Sequence, residues 1–286
     1  MTGDDGFDIH TMARAELGVA LDWAAAEGWN PGLADGDAFH AADPEGFLVG
    51  TLNAQPVSCI SVVRYGAAFG FLGFYIVHPD HRGRGFGWRT WQAGMKRLAG
   101  RNVGLDGVKA QQDNYRKSGF RYGHGNVRYG GAGLGRARPA GAACDLIDLA
   151  HCPFKDLALY DARIFAADRV AFLTRWIAQP GARGLAATDQ GALRGYGFIR
   201  PCRRGFKVAP LFADDAGTAA SLFDALVAVA DGAPVSIDVP LPNAAARLLA
   251  EARGLAPAFE TARMYTEGDP GVALDKVFGI TSFELG

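Results

Sequence analysis

Residues Phe69 to Val77 read FGFLGFYIV, a run without a charge that is apolar on both of its alternating faces. Such a strand is stable only when both sides are covered, so it belongs at the centre of a sheet with other layers packed above and below. The chain leaves it through Pro79, enters RGRGFG over Arg82 to Gly87, and passes with no polar loop into a helix expected over residues 86–99. Trp88, Trp91, Met95 and Leu98 recur there at spacings of three and four and form one apolar stripe, with Arg89, Lys96 and Arg97 off it. A central strand feeding directly into an amphipathic helix specifies an α/β architecture.

At 286 residues the chain is long enough for two domains of ordinary size, and 49% hydrophobic with 21% charged residues is a globular composition. Before the central strand the periodicity predicts a strand at 7–12, a helix at 13–28 with Leu17, Leu21 and Ala24 on one face, and strands at 47–52 and 56–65. After it come the 86–99 helix, a strand at 103–108, a short helix at 111–118 and a strand at 121–129. The stretch GGAGLGRARPAGAA, Gly130 to Ala143, is too poor in large apolar residues to add to a core. We therefore expect a first domain at 1–130, a glycine-rich linker at 131–143 and a second domain at 144–286. The second repeats the order of the first: helical signal at 154–178, a hairpin at 184–188 and 195–201, a strand at 206–212, a helix at 217–230, a strand at 235–239, a helix at 243–253 and a strand at 259–266.

A formal charge of -1 supplies no overall attraction for nucleic acid or anionic lipid, and neither is expected as a partner. No uncharged apolar run reaches membrane-spanning length, and Met1 to Asp8 lacks a basic leader, so a cytoplasmic location is expected. Cys59, Cys144, Cys152 and Cys202 are scattered, with no CxxC and no paired spacing of a zinc site, which predicts reduced, structural cysteines and no metal. The oligomeric state stays open, a homo-oligomer included.

The junction after the central strand carries the chemistry. Glycines let backbone amides converge, and a helix N-terminus adds the positive end of its dipole, so Gly83 to Trp88 reads as a pyrophosphate site to which Arg82 and Arg84 add charge. Pro79 cannot donate to a ladder, which marks where the central strand should splay from its neighbour and leave groups for an extended, amide-bearing ligand. Other phosphate motifs fail: Trp88 stands where a dinucleotide fingerprint needs its third glycine, and GxxxxGK[ST], GxSxG and HExxH are absent.

Val77, Pro79, Arg82, Gly85 and Gly87 resemble the V-x-P and [RQ]-x-x-G-x-[GA] fingerprint of the GNAT superfamily of N-acetyltransferases. The first half looks like one GNAT domain and the second like a diverged copy, a pair similar to bacterial tandem-GNAT proteins. The resemblance implies two mixed, mostly antiparallel sheets with helices on both faces, and acetyl transfer from acetyl-CoA to a primary amine by direct attack. The acceptor it implies is a small amine or amino acid first, a protein lysine or N-terminus second; a non-catalytic module that senses coenzyme A is the alternative. It implies further that the amides of Gly83, Arg84, Gly85, Phe86, Gly87 and Trp88 hold the pyrophosphate. The backbone of Tyr75, Ile76 and Val77 would pair with the pantetheine arm and the acyl carbonyl. Tyr115 precedes Lys117-Ser118-Gly119-Phe120, which resembles the family's tyrosine and K-x-G-F, and so becomes the expected general acid.

The central strand departs from the family in having no carboxylate, which leaves the general base open among Glu27, Asp35, Asp37, His40, His78 and a water relay. Asp35 and Asp37 otherwise read as a solvated acidic loop. Glu27, Trp29 and Asn30 are expected at the acceptor site, where an aromatic and a rigid turn shape a pocket. In the second half, Ala213-Asp214-Asp215-Ala216 stands where the glycines and arginines would be, so that half is expected not to bind cofactor and to complete the acceptor cleft. Arg200, Arg203, Arg204 and Lys207 read as a solvated basic face.

Overall fold

The computed structural model describes residues 6–132 and 144–286. The first half forms strands β1 (Phe7–Thr11), β2 (Phe47–Leu52), β3 (Gln55–Tyr65), β4 (Phe69–Val77), β5 (Asn102–Val108) and β6 (Arg121–Gly131), with helices α1 (Leu17–Ala26), α2 (Asp35–Ala42), α3 (Phe86–Arg97) and α4 (Gln112–Lys117). The second half forms β7 (Asp145–Asp148), β8 (Arg183–Asp189), β9 (Ala192–Pro201), β10 (Phe206–Ala213), β11 (Val235–Pro240), β12 (Ala256–Tyr265) and β13 (Val277–Gly279), with α5 (Phe154–Phe165), α6 (Val170–Trp176), α7 (Ala216–Val227) and α8 (Ala244–Glu251). The α/β class and the repeated order of elements are as expected from periodicity.

Three local expectations are corrected, and some elements are new. The helical run at 154–178 is two helices, broken after α5 where Ala166 takes a φ of +65°. Helix α2 and strand β13 carry too little local signal to have been anticipated. Gly130 and Gly131 extend β6 and pair with Ser236 and Val235 of β11, while residues 133–143 of the expected linker lie outside the described residues. The stripe of α3 runs through Phe86, Thr90, Trp91 and Gly94, and Trp88 is 57% exposed. Gly94 sits directly on Ile60 and Val62 of β3, so the helix meets the sheet along the Thr90–Gly94 line and Trp88 turns outward.

All strands join one sheet in the order β1-β2-β3-β4-β5-β12-β6-β11-β10-β9-β8-β7, with β13 on β10. Strand β12, from the second half, lies between β5 and β6, and β6, from the first half, pairs with β11. The halves thus exchange strands, β12 entering the first and β6 reaching the second. Among the described residues only β4–β5 and β10–β11 are parallel. Charged pairs follow the exchange: Arg263 of β12 donates to Asp106 of β5 at 2.9 and 2.8 Å, and Arg128 of β6 donates to Asp238 of β11 at 2.6 and 2.8 Å. On one face α1, α2, α5 and α6 share a single apolar core across both halves, with Phe39 stacked on Trp176 at 6.0 Å. Separate cores lie under α3 and under α7 and α8, with a small cluster of Phe7, Val57 and Phe86 at the start of α3.

His124, buried on β6, has its pKa pushed down to about 4 by burial and by the neighbouring Arg263. In the unfolded chain it takes a proton below about pH 6.5, whereas in the fold it stays neutral down to about pH 4, so its contribution is complete above pH 6.5 and lost as pH falls between those values. Denaturant unfolding at pH 7 and pH 4 is expected to show a fall in stability about 3 kcal/mol smaller in His124→Gln than in the wild type. Equal pH dependence in the two proteins removes His124 from the acid sensitivity.

Candidate active site

Strand β4 pairs with β5 only over Phe69–Leu72 against Asn102–Leu105. Beyond Leu72 it bulges: its register against β3 shifts between Cys59 and Ser61, Phe74 takes a φ of +44°, and the buried Cys59 thiol donates to the Phe74 carbonyl at 3.1 Å. The splay expected at Pro79 therefore opens earlier, within the strand. A Cβ on Gly73 would lie 2.2 Å from the Glu284 carbonyl oxygen, so residues 281–286 fill the space against the bulge and only glycine fits. Ser61 and Tyr65 donate their hydroxyls to the Glu284 and Leu285 carbonyls at 3.3 and 2.9 Å and hold that segment there.

Between the diverging strands lies a cavity of about 360 Å³. Tyr75, Ile76 and Val77 of β4 line it, as do Glu27 and Trp29 from the turn after α1, Arg82, and Tyr115 from α4. Further lining comes from the first half, through Leu72 to Phe74 of β4, Leu105, Asp106 and Val108 of β5 and Gln111, and the second half adds Phe259 and Thr261 of β12 and Phe283.

At the end of β4 the chain turns through Gly83 and Gly85, with φ of +75° and +85°, and Gly85 is the N-cap of α3 without any side-chain cap. A Cβ on either would meet nothing, so glycine is required there for the left-handed backbone rather than for space. Gly87 is different, because a Cβ would fall 2.8 Å from Val77 Cγ2 and 2.9 Å from the Tyr75 hydroxyl. Phe86 is buried and stacks on Phe7 at 4.7 Å, which pins the first turn. The first-turn amides have no intrahelical acceptor and sit at the positive end of the helix, the arrangement that attracts a phosphate. Arg84 stays near this turn, with its guanidinium 4.9 Å from the Phe86 ring centre and its Nη1 3.0 Å from His81 Nδ1. Arg82 turns back, donating from Nε to the Val77 carbonyl at 3.0 Å and from Nη2 to Glu27, so its charge lies at the cavity rim.

Tyr115 is placed by the end of its own helix. Gly119, at φ +90°, donates its amide to the Arg116 carbonyl at 3.0 Å, and the Phe120 amide donates to the Tyr115 carbonyl at 3.1 Å. This is the paired closure in which a left-handed glycine ends a helix and the next residue packs back on it. The Tyr115 ring stacks on Trp91 at 5.7 Å and lies so close to Gly107 that a Cβ there would be 2.5 Å away. Burial, with a smaller effect from Tyr75, pushes its pKa up to about 12. The phenol therefore keeps its proton at neutral pH.

The remaining candidates fall elsewhere. Asn30 exchanges hydrogen bonds with the Arg204 backbone at 3.0 and 2.8 Å and does not line the cavity. Asp35 is not in a solvated loop: it is buried, bound to Arg200 at 2.6 and 3.0 Å and to the Gly32 amide at 2.8 Å. Asp37 pairs with Arg14, while His78 faces Trp23 and His81, with ring centres at 5.7 and 5.9 Å, and neither it nor His40 lines the cavity. The expected solvated basic face divides: Arg200 and Lys207 are buried, Lys207 3.6 Å from Asp238, and Arg203 pairs with Asp22 at the surface. Phe259, Thr261 and Phe283 were not anticipated, because nothing local in their segments says that they face β4 and β5.

The corresponding place in the second half is closed. Strand β10 leaves β11 after Val208, but β13 of the same chain pairs with Leu211 and Phe212 beside it. The N-terminus of α7 carries its own anion, the Asp215 carboxylate accepting from the Thr218 amide at 2.9 Å. Among the described residues no cluster of His, Cys, Asp or Glu could hold a metal, and no helix is long and apolar enough to cross a membrane.

The acetyltransferase (GNAT) family model matches residues 17–120, and an acetyltransferase (GNAT) domain model matches residues 157–279. A holothin acyltransferase of a Pseudoalteromonas species is 31% identical over 272 residues, which cover 95% of this chain and 92% of that protein. Among solved structures, a putative acetyltransferase from Pyrococcus horikoshii superposes with a TM-score of 0.82 at 21% identity over 98% of this chain and 96% of that one. A tandem GNAT protein from the clavulanic acid biosynthesis pathway superposes with a TM-score of 0.62 at 14% identity over 91% and 98%.

Two glycine substitutions separate the two reasons for glycine at the turn. Gly85→Ala is expected to cost about 1–2 kcal/mol through left-handed strain alone, and Gly87→Leu about 1–3 kcal/mol through displacement of Val77 and Tyr75, both read by urea denaturation. A Gly87→Leu protein as stable as the wild type contradicts the tight seating of α3 on β4.

Proposed function

The chain belongs to the GNAT acetyltransferase family, and from that premise we propose that it is an N-acetyltransferase that moves the acetyl group of acetyl-coenzyme A to a primary amine of a small molecule, a small amine or an amino acid. The observation that carries the reading is continuity: a protonated phenol and a strand with one edge unpaired line a single cavity, and that strand runs on, past Arg82 at the rim, to an uncapped helix N-terminus. Coenzyme A fits that succession. The amides of Gly83 to Trp88 suit its pyrophosphate, and the free edge of Tyr75 to Val77 suits an extended arm with amides of its own. The thioester supplies an activated acyl group and a sulfur that leaves with the bonding electrons.

The rest belongs to the chain's own residues. A backbone amide of the bulged strand is placed to steady a carbonyl oxygen as it gains charge. Tyr115 holds its proton on Oη and donates a hydrogen bond to the departing sulfur. With its pKa near 12, full transfer to a thiolate of ordinary basicity, about 8.5, runs uphill, so the proton the thiol retains is the one the amine gives up. Residues 1–130 provide the cofactor side. Residues 144–286 supply acceptor-facing side chains and bind no cofactor, a reading supported by β13 beside β10 and by Asp215 on α7.

Thiol release from acetyl-CoA in the presence of an amine panel, with calorimetry for binding, tests this reading. Tyr115→Phe is expected to lower kcat about 100-fold with acetyl-CoA affinity preserved; an unchanged kcat removes Tyr115 from the chemistry. Because its pKa lies near 12, no loss of rate from its ionisation is expected below about pH 10. Gly85→Asp is expected to abolish acetyl-CoA binding by placing a carboxylate on the anion site. A stoichiometry of two acetyl-CoA per chain overturns the closed second half.

A further inference from the structure

The cavity also carries information on which amine it takes, an inference that rests on the acyl-transfer reading above. Three aromatic rings line the cavity beside the polar Thr261, Gln111 and Asp106: Trp29 and Phe259, both partly exposed, with Phe283 packed against Phe259 at 5.9 Å between ring centres. Arg128 stands over both phenylalanine rings, 5.8 and 5.0 Å from their centres, and is itself fixed by Asp238 and by the Trp29 carbonyl at 2.6 Å. Rings already facing a guanidinium are poor cages for a second cation, since cation–π attraction is offset by repulsion between the like charges.

The carboxylates at the cavity are committed as well. Asp106 accepts two hydrogen bonds from Arg263 and one from Asn126 at 2.7 Å, and its side chain is withdrawn from solvent. Glu27 is bound to Arg82 at the rim. The other titratable groups lining the cavity are Tyr75 and Tyr115, both phenols with pKa raised by burial and therefore neutral. No histidine is among the lining residues.

An alkylamine brings two problems to such a site. With a pKa of about 10.4 it is almost entirely ammonium at pH 7, so it must be desolvated as a cation and then deprotonated before its lone pair can attack. An amine whose lone pair is delocalised into an unsaturated ring has neither problem. It enters neutral, it is flat, and it needs no carboxylate to receive a proton beforehand.

We propose that the acceptor is a neutral aromatic or heteroaromatic primary amine, its ring against Trp29, Phe259 and Phe283 and its nitrogen toward the bulge of β4. The nitrogen lone pair forms the C–N bond to the thioester carbonyl, the C–S bond breaks with its electron pair on sulfur, and the proton lost by nitrogen ends on the thiol. The products are one amide and one free thiol.

The test uses the whole chain with acetyl-CoA and size-matched amines: 4-aminophenol and 3-aminopyridine against benzylamine and 1,4-diaminobutane. The ring amines are expected to have kcat/KM at pH 7 at least about tenfold above the alkylamines, because so little alkylamine is neutral there, an advantage that the weaker nucleophilicity of a delocalised nitrogen reduces without cancelling. Their kcat/KM should stay flat from pH 6.5 to 9, while that of benzylamine climbs about tenfold per pH unit. Calorimetry without acetyl-CoA should show 4-aminophenol binding, weakened about tenfold in Phe259→Ala, an effect that does not depend on turnover. Benzylamine or diaminobutane turned over as fast as the ring amines at pH 7 overturns the proposal and leaves acyl transfer standing. Ring amines that neither bind nor react, in a protein that still binds acetyl-CoA, overturn it too. A chain that binds no acetyl-CoA and releases no thiol overturns the reading beneath it.

Discussion

Everything at the cavity depends on one exchange of main-chain hydrogen bonds, that of β12 inserted between β5 and β6. A strand edge left unpaired in a core is costly, and here each half satisfies the last edge of the other. The exchange carries Phe259 and Thr261 to a wall opposite β4, which neither half could supply to itself. It is reinforced by buried ion pairs at its seams, Arg263 with Asp106 and Arg128 with Asp238, in which each arginine fork meets a carboxylate bidentately. Burial alone would push Asp238 toward its neutral form, and Arg128 and Lys207 outweigh it and hold its pKa low. Losing one member of such a pair leaves a buried charge uncompensated, a penalty of about 3–5 kcal/mol, so the seam tolerates little change.

Within that frame, β4 does two things at once. Its first residues close the sheet against β5, and its last, freed by the Phe74 bulge, leave an edge unpaired along the cavity. The bulge is held from three sides: by the Cys59 thiol on the Phe74 carbonyl, by residues 281–286 against Gly73, and by Gly87 drawing α3 onto Val77. The second half reuses the plan and then fills it, with β13 on β10 and Asp215 on the first turn of α7. One architecture thus yields an open site and a closed one, and the difference comes from a few residues at each strand end.

How much of this was legible in the residues depends on how local each cause is. The Arg82-to-Gly87 turn and the end of the short helix before Gly119 were readable because each is decided within one or two helical turns by a glycine that alone tolerates the backbone angle. Trp88 was misplaced because helical spacing states that a stripe exists without fixing which side Gly94 presents to the sheet. Asp35, Arg200 and Lys207 read as surface charges because composition cannot show that an acid and a base far apart in sequence neutralise one another in the interior.

The amino-acid sequence by itself determined the succession of strands and helices, the repeat of one plan and the glycine-rich turn into α3. These follow from periodicity and backbone sterics, which act over a few residues. The tertiary structure alone decided that β12 crosses into the other half, that Arg128 and Asp238 become a buried seam, and that Phe259 and Phe283 line the cavity beside β4. Ladder hydrogen bonds are chemically alike on every strand, so a strand's own residues specify that it will pair and say little about its partner. The partner is chosen by the packed core as a whole.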